Sequence, residues 1–385
     1  MKKTTCIASL MVCLSMGKAG ALAQNIRIDM NKTYPEKTIS LQKVADVKYI
    51  PLETTDEVLF NGVVTHLSAE GIAGFNKKEG DILVFDGTGK AIASFNHTGQ
   101  GPNEYNKIYH LDVDWKQKEV YVQDNFRQKI RIYALNGSHL RTIDLQETMQ
   151  QGDLYNFSDT HLIYYAQPKS KPVTAYEPVT LLSKKDASKV TLPFTKTDDN
   201  LVKATGGPFG DMKMSAKNVN LLCKKGDEVY VNEVTADVIY RVESNHALTP
   251  VVERTPSYQD ASGQDFFLML TGANARYYFF KRQQALLEFQ GNAATDTKST
   301  YVAYDRKEKQ LLNPTFTNED YPSQDIPMSK LLQCAGSANR CYLQLDAFKL
   351  KEALAEGKLK GTLKSIAEKL DEEDNPVLMV VEFKK

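Results

Sequence analysis

The feature that most constrains the fold is a strand–turn–strand unit that recurs along the chain. In its clearest copy, residues 82–85 are apolar, residues 86–89 read Asp-Gly-Thr-Gly, and residues 90–95 return as an alternating strand. Apolar or alternating runs on both sides of such turn residues are typical of a β-hairpin. Turns this short leave no room for helices between the strands, which argues against an α/β fold. Further copies, some weaker, are centred on residues 119–145, 179–182, 228–252, 301–304 and 378–381.

The spacing of these copies predicts the architecture. One apolar residue from each copy serves as an anchor, and successive anchors lie 48 to 77 residues apart. A strand-rich unit that repeats every ~40–50 residues, lengthened by insertions, is the signature of a propeller. The sequence therefore predicts an all-β protein, a six-bladed β-propeller of four-stranded antiparallel blades; the diluted later copies leave five or seven blades open. The anchors are Val84, Ile132, Leu181, Ile239, Val302 and Met379.

The C-terminal part departs from this pattern. Residues 347–356 and 362–370 carry apolar side chains at spacings of three and four, as an amphipathic helix requires. We expect a short helical insertion over residues 347–371, which packs on the edge of the last blade. A helix pair that binds a partner is the alternative. Residues 377–383 then return as a strand that closes the ring.

The first residues resemble an export signal. Lys2 and Lys3 precede an apolar run over residues 6–16, and Ala21-Leu22-Ala23 fits a cleavage site before Gln24. We expect a signal peptide over residues 1–23 and a single propeller domain over residues 24–385, periplasmic or secreted. A buried N-terminal helix and a lipid anchor at Cys13 are the weaker alternatives. No later stretch reaches the length of a transmembrane helix.

Charge and cysteine content narrow the set of partners. The chain has 48 basic and 48 acidic residues, and loss of Lys2, Lys3 and Lys18 with the leader leaves 45 basic ones. No basic stripe is present, so we expect no nucleic-acid partner. A protein or glycan partner and a monomeric state are expected instead. In an oxidising compartment Cys334 and Cys341 could form a disulfide, or both could be buried thiols beside Cys223.

Two loops hold the candidate ligand-binding residues. Gln100, Glu104 and Tyr105 belong to a Gly-x-Gly-Pro-x-Glu-Tyr motif that follows the first hairpin. The structural interpretation of this motif is a crossing between blades, in which Gly99 and Gly101 adopt backbone angles closed to other residues and Glu104 caps turn N–H groups. Asp124 and Arg127 flank a second loop with charges of both signs, which we place at one rim of the central channel.

Three stretches of the chain carry a family resemblance. They are Val-Lys-Tyr-Ile-Pro-Leu-Glu-Thr over residues 47–54, the motif over residues 99–105, and Asn-Pro-Val-Leu over residues 375–378. Together they resemble a six-bladed β-propeller family of uncharacterised exported proteins common in gut anaerobes. The resemblance covers residues 25–385. It implies the fold and export and does not imply an activity.

Catalytic and metal motifs are scarce. The six histidines are scattered without zinc-site spacing, the glycine-rich run over residues 206–210 lacks a phosphate-loop Lys-Ser/Thr, and no Gly-x-Ser-x-Gly is present. Calcium needs only carboxylates and carbonyls, so aspartates from different blades could converge on the channel, or they could simply sit in turns. These aspartates are Asp81, Asp112, Asp114, Asp124 and Asp237.

Three functions follow from these observations. The first is an exported, non-catalytic binding or scaffold propeller without a cofactor. The second is a calcium-dependent hydrolase or lyase, similar to the NHL-repeat and lactonase propellers, and the third is a metal-free polysaccharide-processing enzyme. The aromatic run over residues 277–280 is interpreted as core rather than as a sugar-stacking surface, and Trp115 as core or a surface contact.

Overall fold

The computed structural model describes most of the chain after the leader. The described residues are 25–124, 128–145, 149–150, 154–165, 167–168, 177–195, 201–205, 212–215, 222–226, 228–258, 260, 266–290, 293–294, 298–328, 331 and 340–384. They form a six-bladed β-propeller of antiparallel blades, which confirms the predicted fold class.

The chain enters the ring through a segment that precedes the first blade. Its elements are β1 (Ile26–Asp29), β2 (Glu36–Ser40), the short helix α1 (Leu41–Val44) and β3 (Ala45–Pro51). We call residues 26–51 the N-terminal belt.

Blades one and two are meanders of four consecutive strands. Blade one contains β4 (Val63–Leu67), β5 (Gly71–Phe75), β6 (Ile82–Asp86) and β7 (Ala91–Phe95); blade two contains β8 (His110–Asp114), β9 (Glu119–Asp124), β10 (Lys129–Ala134) and β11 (His139–Asp144). Strand β9 is buried at every position, whereas the outer strand β7 alternates between half-buried and exposed positions. Middle strands are covered on both faces by the neighbouring blades, so both faces must be apolar or internally paired.

Blade three is interrupted by a short ribbon. The strands in this region are β12 (Met149–Gln150), β13 (Leu154–Asn156), β14 (His161–Tyr165), β15 (Gln167–Pro168), β16 (Val179–Ser183) and β17 (Lys189–Thr191). Strands β13, β14, β16 and β17 form the blade, and β12 pairs with β15.

Blades four and five are extended by additional strands. The chain forms β18 (Leu201–Thr205), β19 (Met212–Ser215), β20 (Leu222–Lys225), β21 (Glu228–Val231), β22 (Val238–Val242), β23 (Leu248–Thr255), β24 (Phe266–Ala273), β25 (Tyr277–Gln284), β26 (Leu286–Gln290), β27 (Ala293–Ala294), β28 (Ser299–Asp305), β29 (Gln310–Thr317) and β30 (Asp325–Pro327). Strands β20–β23 form blade four, and β24, β25, β28 and β29 form blade five. Strands β18, β19, β26 and β27 make a separate small sheet.

Blade six contains the helical insertion. Its elements are β31 (Arg340–Leu345), α2 (Ala347–Ala355), α3 (Gly361–Ala367) and β32 (Val377–Phe383). The two helices bury Leu350, Leu363 and Ala367 against each other and against Val377, close to the predicted insertion over residues 347–371. Among the described residues this blade has three strands, in the order β3-β32-β31. Residues 332–339, which precede β31, are not among the described residues.

The six sequence anchors occupy one equivalent position in the ring. Each anchor lies in the strand next to the outermost strand of its own blade, namely β6, β10, β16, β22, β28 or β32. This strand packs between the neighbouring blades, so it carries a regular apolar signal. That position explains why the repeat is legible in the sequence.

The N-terminal belt runs along the outer edges of three successive blades. Strand β1 pairs in parallel with β23 of blade four, β2 pairs in parallel with β29 of blade five, and β3 pairs antiparallel with β32 of blade six. The expectation that residues 377–383 close the ring was therefore incomplete, because these residues need the N-terminal β3 as the outer strand. The belt also covers strand edges that would otherwise be exposed.

The family motifs near the two chain ends meet at this closure. Asn375 Nδ2 donates hydrogen bonds to the carbonyl oxygens of Glu53 at 2.7 Å and Val58 at 2.8 Å. Its Oδ1 accepts from Phe60 N at 2.7 Å. A single amide thus holds the loop that leads from β3 into blade one, and the conformation of this loop depends on it.

The aromatic run over residues 277–280 is core, as predicted. Tyr278 and Phe280 pack between blades four and five, whereas Tyr277 and Phe279 pack toward blade six. Phe279 and Phe383 have ring centroids 6.1 Å apart. Alternation along one strand therefore supplies aromatic rings to two interblade cores.

Candidate ligand cleft and channel hub

A cleft opens between blades five and six beside helix α2. Its cavity volume is about 430 Å³, within the range of roughly 300–1,000 Å³ common for small-molecule sites. The floor is apolar and belongs to buried core, with contributions from Ile326, Leu343, Leu350 and Met379. We call this cavity the ligand cleft.

One wall of the ligand cleft is held by the N-terminal belt. Asn318, which is buried, accepts a hydrogen bond from Gln42 Nε2 at 2.7 Å on its Oδ1. Its Nδ2 donates to Tyr49 Oη at 2.8 Å and to Met379 Sδ at 3.3 Å. Burial raises the pKa of Tyr49 well above its ordinary value despite the Asn318 hydrogen bond, so the hydroxyl stays protonated. The wall is therefore fixed before any ligand arrives.

A second wall of the ligand cleft is held by blade one. Gln344, in β31, donates from Nε2 to Gly62 O at 3.2 Å. Its Oε1 accepts from Val64 N at 3.4 Å. Because both ends of the amide are engaged, Gln344 contributes shape rather than adaptable hydrogen bonding.

The rim of the ligand cleft is polar and accessible. Gln324, Asp325 and Lys349 are exposed, and Tyr321 is half-buried. Asp346, also at the rim, caps helix α2 by accepting from Lys349 N at 3.1 Å. The rim thus combines an amide, a carboxylate, an ammonium and a phenol above an apolar floor, and sequence reasoning missed all four.

A second polar cluster lies where the inner strands of four blades meet. Asp112, in β8 of blade two, accepts from His66 Nδ1 of blade one at 3.0 Å, with the proton placed on Nδ1 by the ionised carboxylate. It accepts from Lys224 Nζ of blade four at 2.8 Å and from Asn156 N of blade three at 2.7 Å. A fourth donor is Val113 N at 2.9 Å. We call His66, Asp112, Asn156 and Lys224 the channel hub.

The electrostatics of the channel hub favour an ionised carboxylate. Burial by itself would raise the pKa of Asp112, but the Lys224 ammonium and the His66 hydrogen bond outweigh it and hold the pKa far below its usual range. Neighbouring His110 stacks edge-on against Tyr155 with centroids 4.9 Å apart. Desolvation lowers the pKa of His110 to about 4, since the Asp112 charge compensates only in part. At neutral pH His110 is therefore uncharged.

The hub carboxylate has no capacity left for a further ligand. A carboxylate offers about four lone-pair sites, and Asp112 receives four donors. This saturation identifies Asp112 as a structural tie between blades.

The other candidate calcium ligands are dispersed. Asp114 pairs with Lys184 Nζ at 2.7 Å, and Asp124 with Arg131 at 3.0 Å. Asp81 accepts from Asn96 Nδ2 at 2.8 Å, and Asp237 accepts from Ser257 Oγ at 2.6 Å. Within the described part of the chain, no three His, Cys, Asp or Glu side chains gather as a metal site. The calcium alternative stays a prediction.

The crossing-loop motif has the capping geometry that the sequence predicts. Glu104 Oε2 accepts from Gly101 N at 2.6 Å. The predicted reason for the glycines was wrong, because neither Gly99 nor Gly101 is among the positive-φ residues. Instead, a Cβ at Gly99 would lie 2.0 Å from the Glu104 carboxylate, so the glycine makes room for that side chain.

The remaining predicted site residues have varied surroundings. Tyr105 is buried and donates from its hydroxyl to Gly80 O at 2.8 Å, while Gln100 is exposed. Asp124 is 0% exposed and also accepts from Asn106 N at 2.8 Å. Arg127 lies outside the described residues. Tyr105 and Asp124 are therefore engaged in loop and blade packing, and a ligand role for any of the predicted site residues stays a prediction.

Two further sequence predictions concern side chains in or near the core. Cys341 is buried in β31, and Cys334 lies outside the described residues, so the disulfide stays a prediction. Trp115 is half-buried, with its ring 6.1 Å from that of His66 and pressed against the backbone of Gly71. Its position favours packing beside the channel hub.

These features define the class of protein: a six-bladed β-propeller with a cleft between two blades and a charged tie at its axis. The chain belongs to the family described as domain of unknown function DUF4934, whose model matches residues 25–382. No helix among the described residues is long and apolar enough to cross a bilayer. The comparison with curated proteins found no match.

Solved structures support the fold. A candidate exported protein, BF0058 from Bacteroides fragilis NCTC 9343, aligns with a TM-score of 0.62 at 15% identity, over 94% of this chain and 99% of that one. A member of the DUF4221 family from Bacteroides vulgatus ATCC 8482 aligns with a TM-score of 0.51 at 9% identity, over 89% and 98%. At these identities the likeness concerns architecture alone.

Proposed function

We propose that this protein is an exported, non-catalytic binding propeller that holds its ligand in the cleft between blades five and six. The observation that carries the proposal is the ligand cleft itself. It has an apolar floor, two walls locked by internal hydrogen bonds, and a polar rim that faces solvent. A site with fixed walls loses little conformational entropy when it binds, and this favours affinity.

The position of the ligand cleft supports the same proposal. The helical insertion is an addition to a plain six-bladed ring and lines this cavity, while the N-terminal belt, which supplies the outer strand of blade six, holds one of its walls. Asn318 is held by Gln42 from the belt, and Lys349 and Leu350 come from α2. An inserted helix that lines the cavity and a belt segment that fixes its wall argue for a function located there.

The state of the channel hub supports a non-catalytic role. Asp112 is saturated by four donors, and His66 is only 5% exposed. A general base needs a proton of the substrate within hydrogen-bonding reach, and a metal needs unoccupied oxygen ligands. The hub geometry favours a structural function over either of these.

Export to the periplasm or beyond is part of the proposal. It is supported by the leader-like residues 1–23 and by the description of the Bacteroides fragilis neighbour as a candidate exported protein. The ligand is accordingly expected among molecules outside the cytoplasm.

Binding and turnover can be separated with one panel of probes. Residues 24–385 are mixed with neutral tetrasaccharides, tetragalacturonate, tetralysine and tetraalanine; the melting temperature reports binding and mass spectrometry reports conversion. We expect at least one probe to raise the melting temperature without changing in mass. A ligand of the native state adds about 2.7 kcal/mol of stability at a concentration 100 times its Kd.

A matched pair of variants locates the binding. Gln324→Trp puts a large side chain at the mouth of the ligand cleft, and Lys78→Trp puts the same side chain on an exposed turn of blade one. The first variant is expected to abolish the melting shift and the second to retain it. Conversion of a probe, or a shift that survives Gln324→Trp, contradicts the proposal; a calcium-dependent rise that EDTA removes would favour the hydrolase or lyase.

A further inference from the structure

The composition of the ligand cleft also indicates the chemical class of its ligand. Resting on the proposed function, we infer that the cleft binds an uncharged saccharide segment. The inference draws on the floor, on the hydrogen-bonding groups of the rim and on the charge balance, each of which is independent of the others.

The floor of the ligand cleft suits the C–H face of a sugar ring. Leu345 and Tyr321 are half-buried and expose apolar surface to the cleft, above the buried side chains of Ile326, Leu343 and Leu350. A tyrosine offers an apolar ring face together with a polar hydroxyl. A pyranose has the same dual character, with C–H groups on its faces and hydroxyls on its edge, so it can satisfy floor and rim together.

The rim offers planar groups that match neighbouring hydroxyls. Among the described hydrogen bonds, the side chains of Gln324 and Asp325 make none within the protein, whereas the wall amides Asn318 and Gln344 each use both their nitrogen and their oxygen. A carboxylate accepts two hydrogen bonds side by side, and a carboxamide both donates and accepts. Adjacent sugar hydroxyls, which can do both, are the natural complement of such a pair.

The charge balance of the rim disfavours a charged ligand. Asp325 and Lys349 offset each other in sign, and Asp346 is engaged at the N-terminus of α2, where the helix dipole compensates a negative charge. A polyanion or a polycation would bring charge into the cleft without an equal counter-charge, and this costs desolvation free energy. An uncharged polar ligand avoids that cost.

The test measures affinity and its salt dependence by calorimetry on residues 24–385. The probes are xylotetraose, mannotetraose, cellotetraose and maltotetraose, with tetralysine and tetragalacturonate as charged comparisons. We expect at least one neutral tetrasaccharide to bind, with less than about a twofold change in Kd between roughly 50 mM and 500 mM salt, because screening acts only on charge–charge attraction.

Paired substitutions separate hydrogen bonding from charge and stacking from hydroxyl contact. Asp325→Ala is expected to raise the Kd of the saccharide about tenfold, in line with the loss of a hydrogen bond to a charged group. Asp325→Asn should raise it less, since the amide oxygen still accepts. Likewise Tyr321→Ala should weaken binding more than Tyr321→Phe, which keeps the ring.

Each outcome supports or overturns the inference. If tetralysine binds, loses affinity in salt, and responds equally to Asp325→Asn and Asp325→Ala, the ligand is cationic; the inference then fails and the proposed function stands. Failure of all four tetrasaccharides to bind at millimolar concentration also overturns the inference. If saccharide binding survives Gln324→Trp, the cleft is not the site, and the proposed function fails with the inference.

Discussion

The channel hub and the aromatic core between blades five and six join neighbouring blades by different means. At the hub, Asp112 receives donors from blades one, three and four, so four blades depend on a single carboxylate. In the aromatic core, Tyr277, Phe279, Phe316 and Phe383 have ring centroids 5.4 to 6.2 Å apart and share the contact among many atoms. The comparison indicates that the contacts at the hub all depend on one charged side chain, whereas the contacts in the aromatic core are shared among several residues.

The strongest test of this comparison removes the hub charge without changing its shape. Asp112→Asn leaves the Lys224 ammonium buried without a counter-charge, and breaking a buried pair in this way costs about 3–5 kcal/mol. We expect urea denaturation at neutral pH to show a loss of that size. As the control, Asp159→Asn breaks the exposed ion pair with Lys116, for which ~0–1 kcal/mol is expected. Equal losses in the two variants would refute the structural role of the hub.

The pH dependence of the free energy of unfolding tests the same region, with a smaller expected effect. The pKa of His110 is lowered from its ordinary 6.5 to about 4 in the folded protein. The unfolded chain therefore takes up a proton first as the pH falls, so the contribution of His110 to stability is complete above pH ~6.5 and is lost between there and pH ~4. We expect a loss of about 2 kcal/mol over this window, after allowance for solvent screening.

His110→Gln provides the control for this titration. The variant lacks the titrating group, so its free energy of unfolding should fall less steeply than that of the native protein over the same pH window. Asp112 does not contribute there, because its folded pKa is depressed and its stabilisation is lost only at lower pH. Parallel pH profiles for the two proteins would remove His110 from the explanation.

The aromatic core should tolerate a change of shape better than the hub tolerates a change of charge. Phe316 is fully buried in this core, and Phe316→Leu keeps an apolar side chain but removes the ring. A partial large-to-small change of this kind is expected to cost about 1–2 kcal/mol, less than the ~3–5 kcal/mol of a full truncation to alanine and below the expected loss for Asp112→Asn. A larger loss for Phe316→Leu than for Asp112→Asn, measured by the same denaturation, would reverse the comparison.

The smallest expected effect concerns the belt and separates stability from binding. Gln42→Ala removes the hydrogen bond to Asn318, a loss of ~0.5–1.5 kcal/mol. Because Asn318 forms a wall of the ligand cleft, the variant should also have a lower affinity for any ligand that binds there. Lys43→Ala, at the exposed neighbouring position, is the control and should change neither quantity. Unchanged ligand affinity in Gln42→Ala would show that the belt does not shape the cleft.

Local patterns were sufficient for the blades and for the insertion. The hairpin around Gly89, the helical spacing of Leu350 and Leu354, and the apolar strand around Ile132 are each properties of a few consecutive residues. Strand and helix periodicity reflect burial of one or both faces, so they can be recognised before the neighbouring elements are known. The Glu104 cap was predictable for the same reason, since donor and acceptor are three residues apart.

The ligand cleft and the channel hub have no comparable local signal. His66 and Lys224 both bind Asp112, although they are 158 residues apart in the sequence. Asp112 was recognised only as one of several aspartates, and its partners are ordinary residues of inner strands. For Gln324 and Asp325, only the folded position beside α2 distinguishes these exposed polar residues from others in turns.

By itself the sequence determined the repeating unit, the propeller class and the C-terminal helices, because the burial of each strand or helix imposes a short-range periodicity; it favoured six blades but left five or seven open. Only the tertiary structure decided that β1 and β2 lie in parallel on blades four and five, that Asp112 ties four blades together, and that a cleft opens beside α2. The physical reason is that these features depend on which distant strands become neighbours. That choice is made by the packing and pairing of the whole ring, and no short stretch of residues encodes it.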